Sequence, residues 1–188
     1  MKNYINGQWA ATTGSTEIAV INPRSEQALA HFIAASPHDV DAAVEAANQA
    51  LASWSNTSAA ERAAWLNKIA DALEQSKDKL VELSHHNNGK SISQAKVDVE
   101  NSIKCYRYYA DLVQKFAFSK TSQTDHGTEL THQQNPVGVV ALITPWNFPL
   151  ITSAWKIAPA LAAGCTLVFK PSELVPLPEL EFIKILNQ

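Results

Sequence analysis

An α/β chain, in which helices precede the first βαβ unit of a parallel sheet, is what the sequence predicts, and three observations carry it. Gly138 to Thr144 is apolar and β-branched with no polar alternation, the pattern of a strand buried on both faces. Ile151 to Ala163 places Ala, Leu, Ile and Trp at helical spacing and is stopped by Gly164. Thr166 to Phe169 is a second short apolar strand, and two strands joined through a helix lie parallel.

The chain opens on Tyr4-Ile5-Asn6-Gly7-Gln8-Trp9, an Asn-Gly pair between apolar residues and hence a hairpin. Glu17 to Ile21 and Gln27 to Ile33 alternate as two further strands, joined by the turn residues Asn22-Pro23-Arg24-Ser25. Ser36-Pro37-His38-Asp39 starts a helix to about Ser53, with a capping hydroxyl, proline in the first turn and an acid at the third position. Ser58-Ala59-Ala60-Glu61 is a second capping box, leading a helix that carries Leu66, Ile69 and Leu73. Lys77 to about Asn87 is a third helix, ended by Asn88-Gly89 because glycine suits a left-handed cap. A fourth runs from about Ser93 to Lys115 and is expected to put Val97, Ile103, Tyr106 and Val113 on one face. Ser119 to Gly127 reads as a polar loop or linker, and Glu129 to Gln134 as a weak edge strand. Pro176 and Pro178 punctuate a last helix with Leu180, Phe182, Ile183 and Leu186.

Composition excludes several classes of function. With 188 residues, 46% hydrophobic and 18% charged, the chain has the makings of one globular core. A formal charge of −3 and the lack of any Lys/Arg cluster argue against a nucleic-acid partner. The longest apolar run, Val137 to Thr144, is far short of the roughly twenty residues a membrane helix needs, and the N-terminus carries no apolar signal segment, so a cytoplasmic protein is expected. Cys105 and Cys165 form no disulfide framework or metal spacing; both read as reduced, packed thiols, and no metal is expected. His85 and His86 likewise fit no metal spacing and read as surface residues.

Ligands of open parallel sheets bind outside the carboxyl ends of the strands. Here the first strand runs into Pro145-Trp146-Asn147-Phe148-Pro149 and the second into Lys170-Pro171-Ser172-Glu173. Asn147, between two prolines, is either an N-cap or a fixed amide donor for an oxyanion, and one residue can do both. Lys170 and Glu173 on their own read as a solvated ion pair. Phe148 and Trp155 stand seven residues apart, two turns of one helix face, as core residues or as aromatic walls beside the amide.

Pro-Trp-Asn-Phe-Pro, followed by Trp-Lys-Ile-Ala-Pro-Ala-Leu-Ala-Ala-Gly-Cys-Thr and Lys-Pro-Ser-Glu at this spacing, resembles the aldehyde dehydrogenase superfamily. The likeness extends from Tyr4-Ile5-Asn6-Gly7-Gln8-Trp9 through Asn22-Pro23 and Asn88-Gly89-Lys90, and covers the front part of that family's fold. It implies a catalytic Asn147 that holds the aldehyde oxygen, and a cofactor site drawing on Thr144, Pro145, Trp146, Lys170, Ser172 and Glu173. It further implies a substrate tunnel that includes Phe148 and Trp155. An acceptor at Glu173 suits a free ribose 2′-hydroxyl, so NAD is expected ahead of NADP. No Gly-x-Gly-x-x-Gly run is present, and the family's later glycine segment, its thiol and its base have no counterpart among these residues.

The resemblance thus implies oxidation of an aldehyde to an acid, and the segment from Thr152 to Thr166 with the following Lys170-Pro171-Ser172-Glu173-Leu174 looks closest to the betaine aldehyde and aminoaldehyde branch, of whose members aromatic tunnel walls are typical. The implied division is a hairpin and helical part of the cofactor-binding domain over 1–118, an oligomerisation segment over 119–135 and the start of a Rossmann-like domain over 136–188. A homodimer or homotetramer is the implied assembly. Some members bind a monovalent cation through an Asp at the position of Asn87, so a site joining Ile21 and Asn87 is in question. As a stretch ending at Gln188, the chain is expected to be inactive by itself. The alternative is a non-catalytic piece with a binding or assembly role.

Overall fold

The structure, a computed structural model, describes residues 2–187. The hairpin β1 (Asn3–Ile5) and β2 (Gln8–Ala10) turns on Asn6 and Gly7, both at positive φ, as the Asn-Gly pair requires. A second antiparallel pair, β3 (Glu17–Ile21) and β4 (Ala28–Ile33), follows. Four helices come next: α1 (Pro37–Ser55), α2 (Ala59–Gln75), α3 (Lys77–Asn88) and α4 (Ile92–Lys115). Both expected capping boxes form, Ser36 with Asp39 and Ser58 with Glu61, so each helix start satisfies two of its orphan N–H groups. Gly89 closes α3 at φ 78°, and a Cβ there would lie 2.6 Å from the Pro23 side chain, so both conformation and space demand glycine.

The core lies where α2, α4 and α5 (Pro149–Ala162) meet, and α6 (Leu177–Leu186) closes its edge. Leu66, Ala70, Leu73, Val99, Tyr106 and Ala158 fill it, and the Tyr106 and Phe182 rings stand 6.0 Å apart. The buried residues of α4 are Ala95, Asp98, Val99, Ser102, Ile103, Cys105, Tyr106, Ala110 and Val113. Val97 is not among them and is exposed, because its six-residue separation from Ile103 is out of phase with a 3.6-residue turn.

The segment 119–123 differs from expectation, while the edge strand expected over 129–134 is present. Ser119–Gln123 is not a linker but strand β5, paired antiparallel with β6 (Glu129–Gln133) from Ser119 opposite Gln133 to Gln123 opposite Glu129. All its side chains are exposed and polar, so no apolar alternation marked it.

The predicted βαβ unit is present: β7 (Val139–Ile143), α5, then β8 (Thr166–Lys170), with the strands parallel and Ile143 opposite Lys170. Burial on both faces is not found. Leu142 is buried, whereas Ile143, at the carboxyl end of a sheet that has two strands among the described residues, is 67% exposed.

Candidate functional site

The register that sets Ile143 beside Lys170 brings the two polar segments together at the carboxyl edge of the β7–β8 pair. Thr144 extends the pairing, donating its N–H to the Lys170 carbonyl at 3.3 Å. Its hydroxyl turns inward and donates to Glu179 Oε1 at 3.1 Å. Pro145, Trp146 and Asn147 follow on the surface, and Trp146 is 51% exposed.

Asn147 is not the helix cap. Phe148 is the N-cap of α5 and offers no side-chain bond. Asp98, reaching across from α4, accepts the N–H of Ile151 at 2.9 Å and does the capping instead. The Asn147 amide is thereby left for other work. Its Oδ1 accepts the N–H of Phe148 at 3.1 Å, and its Nδ2 has no partner among the described residues. An exposed, oriented amide N–H with nothing to donate to is what binding a developing oxyanion requires.

Phe148 and Trp155 do not pack into the core. Both are exposed, Trp155 at 62%. One face of the Phe148 ring already carries a cation, the Lys90 ammonium 4.2 Å from its centroid. Lys170 and Glu173 form an exposed ion pair at 2.9 Å, and the hydrogen bond from Lys170 holds the Glu173 carboxyl below its ordinary range. Ser172 is buried, and its Oγ accepts the N–H of Leu174 at 3.3 Å, which shapes the turn between them.

Behind the two loops stands a group of residues whose roles the sequence did not disclose. The C-terminal end of α3 supports both loops. Asn87 donates to the Leu174 carbonyl at 3.2 Å and accepts the N–H of Leu177 at 3.0 Å. Asn88 donates to the Trp146 carbonyl at 2.6 Å, and Lys90 to the Asn147 carbonyl at 2.9 Å. The Asn87 amide is therefore committed to the β8–α6 connection. Among the described residues no group of three or more His, Cys, Asp or Glu side chains is placed to hold a metal ion. Of the adjacent pair, His86 is an exposed surface residue 3.9 Å from Glu82, whereas half-buried His85 places its Nδ1 2.7 Å from the Lys90 carbonyl.

Two buried carboxyls flank the start of α5. Asp98 pairs with Lys90 at 3.4 Å; burial pushes the acid up and the ammonium down, and each partner opposes the other's shift. Burial also pushes Glu179 up, to about 8, against the opposing hydroxyls of Ser153 and Thr144. Ser153 Oγ contacts both Glu179 and the Pro149 carbonyl, the latter at 2.6 Å, and its one proton serves one of these acceptors at a time. Asp98 could have been suspected as an acid on a buried helix stripe, and Glu179 as an acid among Leu and Pro residues.

Both cysteines are buried, and burial raises the Cys105 thiol to about 11. Neither can meet a substrate at this surface. Among the described residues no helix is long and apolar enough to cross a membrane.

Residues 9–188 match the Aldehyde dehydrogenase family. The chain is 40% identical to Aminoaldehyde dehydrogenase 2 of Solanum lycopersicum, over 98% of this chain and 38% of that one. It is 37% identical to the chloroplastic Betaine aldehyde dehydrogenase of Beta vulgaris, over 98% of this chain and 39% of that one. Among solved structures, Aldehyde Dehydrogenase C of Pseudomonas syringae, complexed with NAD+ and octanal, superposes with a TM-score of 0.92 at 40% identity, over 100% of this chain and 38% of that one. The chain thus spans somewhat over a third of the length of the relatives it matches, with the α/β architecture of their N-terminal part. On this agreement of sequence and structure, the chain belongs to the aldehyde dehydrogenase family.

Proposed function

We propose that these residues supply the oxyanion amide and one half of the dinucleotide site of an NAD(P)-dependent aldehyde dehydrogenase acting on betaine aldehyde or another aminoaldehyde. The observation that carries this is the exposed Asn147 carboxamide, fixed through Oδ1 and free at Nδ2, beside the carboxyl edge of β7 and β8. In this reading Nδ2 donates to the aldehyde oxygen as a thiolate adds to the carbonyl carbon and charge moves onto that oxygen. The thiolate comes from outside these residues, since Cys105 and Cys165 are buried.

The residues at the strand edge fit a dinucleotide. Lys170 and Glu173 present a donor and an ionised acceptor to solvent, the pair that two vicinal ribose hydroxyls ask for. NAD bound there would supply the hydride acceptor. Thr144, Pro145 and Trp146 form the backbone wall at the other strand end, and Ser172 holds the turn that presents Glu173. The NAD+ complex of the Pseudomonas relative supports this assignment.

For the substrate, the aminoaldehyde and betaine aldehyde names of the plant relatives and the exposed rings of Phe148 and Trp155 favour a cationic aldehyde, because aromatic faces attract quaternary ammonium. The fully exposed β5–β6 hairpin, within residues 119–135, is the assembly surface in this reading, set between the hairpin and helical part (1–118) and the Rossmann-like part (136–188).

The test joins residues 1–188 to the remaining length of the tomato relative and assays the chimera with and without Asn147→Ala. Turnover should drop about a hundredfold to a thousandfold, the worth of one oxyanion donor, with NAD affinity unchanged. Turnover within about threefold of the parent removes Asn147 from the chemistry.

A further inference from the structure

The Asn147 amide is aimed from behind. Its backbone carbonyl accepts from Lys90 Nζ at 2.9 Å, and the next N–H, that of Phe148, donates to Asn147 Oδ1 at 3.1 Å. That carbonyl and that N–H are the two ends of a single planar peptide unit. Fixing the carbonyl direction therefore fixes the N–H, the N–H fixes Oδ1, and the planar carboxamide then has one direction left for Nδ2.

Lys90 is well placed for this. It is 9% exposed and follows the left-handed Gly89 that ends α3, so its backbone is set by a helix stop. Its ammonium has three contacts: the Asn147 carbonyl, Asp98 Oδ2 at 3.4 Å and the Phe148 ring face at 4.2 Å. Asp98, wholly buried, uses its other oxygen on Ile151 N–H at 2.9 Å, so the acid that steadies Lys90 also fixes the first turn of the helix that follows Asn147.

We infer that Lys90 is a positioning residue for the oxidation of the aldehyde, setting the direction of the Asn147 carboxamide through the Asn147–Phe148 peptide, with Asp98 holding its ammonium in place. This rests on the reading of Asn147 as the oxyanion donor. Lys90 touches neither substrate nor cofactor in this scheme.

The test has two arms. In the chimera, Lys90→Met should lower kcat by roughly tenfold to a hundredfold, less than loss of the donor itself, while KM for NAD holds. In an Asn147→Ala background the same substitution should cost nearly nothing further, because no amide is left to aim. Lys90→Arg, which keeps a charged donor, should recover part of the loss. Additive effects in the double variant, or kcat within about twofold of the parent for Lys90→Met, overturn the proposal. The second arm uses the 188-residue chain and the NMR signals of the Asn147 side-chain amide. Lys90→Met should shift and broaden them, whereas Lys77→Met, remote from the loop, should not. Unmoved signals overturn the aiming role whatever the kinetics show. If Asn147→Ala leaves turnover intact while Lys90→Met still moves the amide signals, the oxyanion reading has failed and the geometric coupling stands.

Discussion

The hydroxyl of Thr144, at the end of β7, donates to the buried carboxyl of Glu179 on α6 at 3.1 Å. A residue at the end of β7 is thus tied to an acid that keeps its proton near neutrality, and this has a measurable consequence. In the unfolded chain Glu179 ionises near 4.5; in the folded chain its proton is held to about 8. Between these values unfolding releases a proton. The stabilisation is fully present below about pH 4.5 and is lost as pH rises through about 8. Urea-unfolding midpoints should fall across that interval, and Glu179→Gln should flatten the profile. Parallel profiles for parent and variant would contradict a protonated Glu179.

Cofactor choice should turn on Glu173. Its carboxylate is ionised beside Lys170, so in the proposed site it would accept from a ribose hydroxyl and repel a 2′-phosphate. Glu173→Gln in the chimera should narrow the NAD to NADP ratio of kcat/KM by about tenfold, the scale of one charge-assisted hydrogen bond. An unchanged ratio would remove Glu173 from ribose recognition.

Trp155 should matter more than Phe148 for a cationic substrate. The Phe148 ring already has the Lys90 ammonium on one face, whereas Trp155 stands open on α5. Loss of one such ring is worth roughly 0.5 to 2 kcal/mol, or about twofold to thirtyfold. Trp155→Leu should therefore reduce the preference for betaine aldehyde over a neutral aldehyde of similar size by that factor. A preference that survives the substitution places cation recognition elsewhere.

The 188-residue chain assayed alone should form no NADH from aldehyde and NAD. Its two thiols are buried, and the Cys105 thiol is raised to about 11, so neither supplies a thiolate at the Asn147 surface. Aldehyde-dependent NADH formation by this chain would refute the assignment of the nucleophile to residues outside it.

Much of the scaffold was legible because local chemistry wrote it. Ser36 with Asp39, Ser58 with Glu61, and Gly89 each state a helix boundary within a few residues, and the boundaries formed there. Strand β5 left no such mark, since a hairpin exposed on both faces needs no apolar alternation. The run at β7 reads the same whether one face or two are covered, so its composition could not tell the exposed Ile143 from the buried Leu142. At the site, Asn147, Lys170 and Glu173 stood out as polar residues at strand ends. Their supports did not, because Lys90 meets Asn147 across 57 residues and Asn87 meets Leu177 across 90, separations that no local pattern encodes.

Those long separations converge on one short piece of chain. Asn88 and Lys90 grip the connection after β7, and Asn87 grips the connection after β8, all within a single helix end and its glycine stop. A tilt of α3 therefore bears on the Asn147 loop and on the connection that carries Glu173 together, through hydrogen bonds to both. Opposed movement of the two would require breaking hydrogen bonds at that helix end. The gap between the point where an aldehyde oxygen would sit and the point where a ribose would sit is accordingly braced twice, by α3's last turn and by the bond from Thr144 N–H to the Lys170 carbonyl.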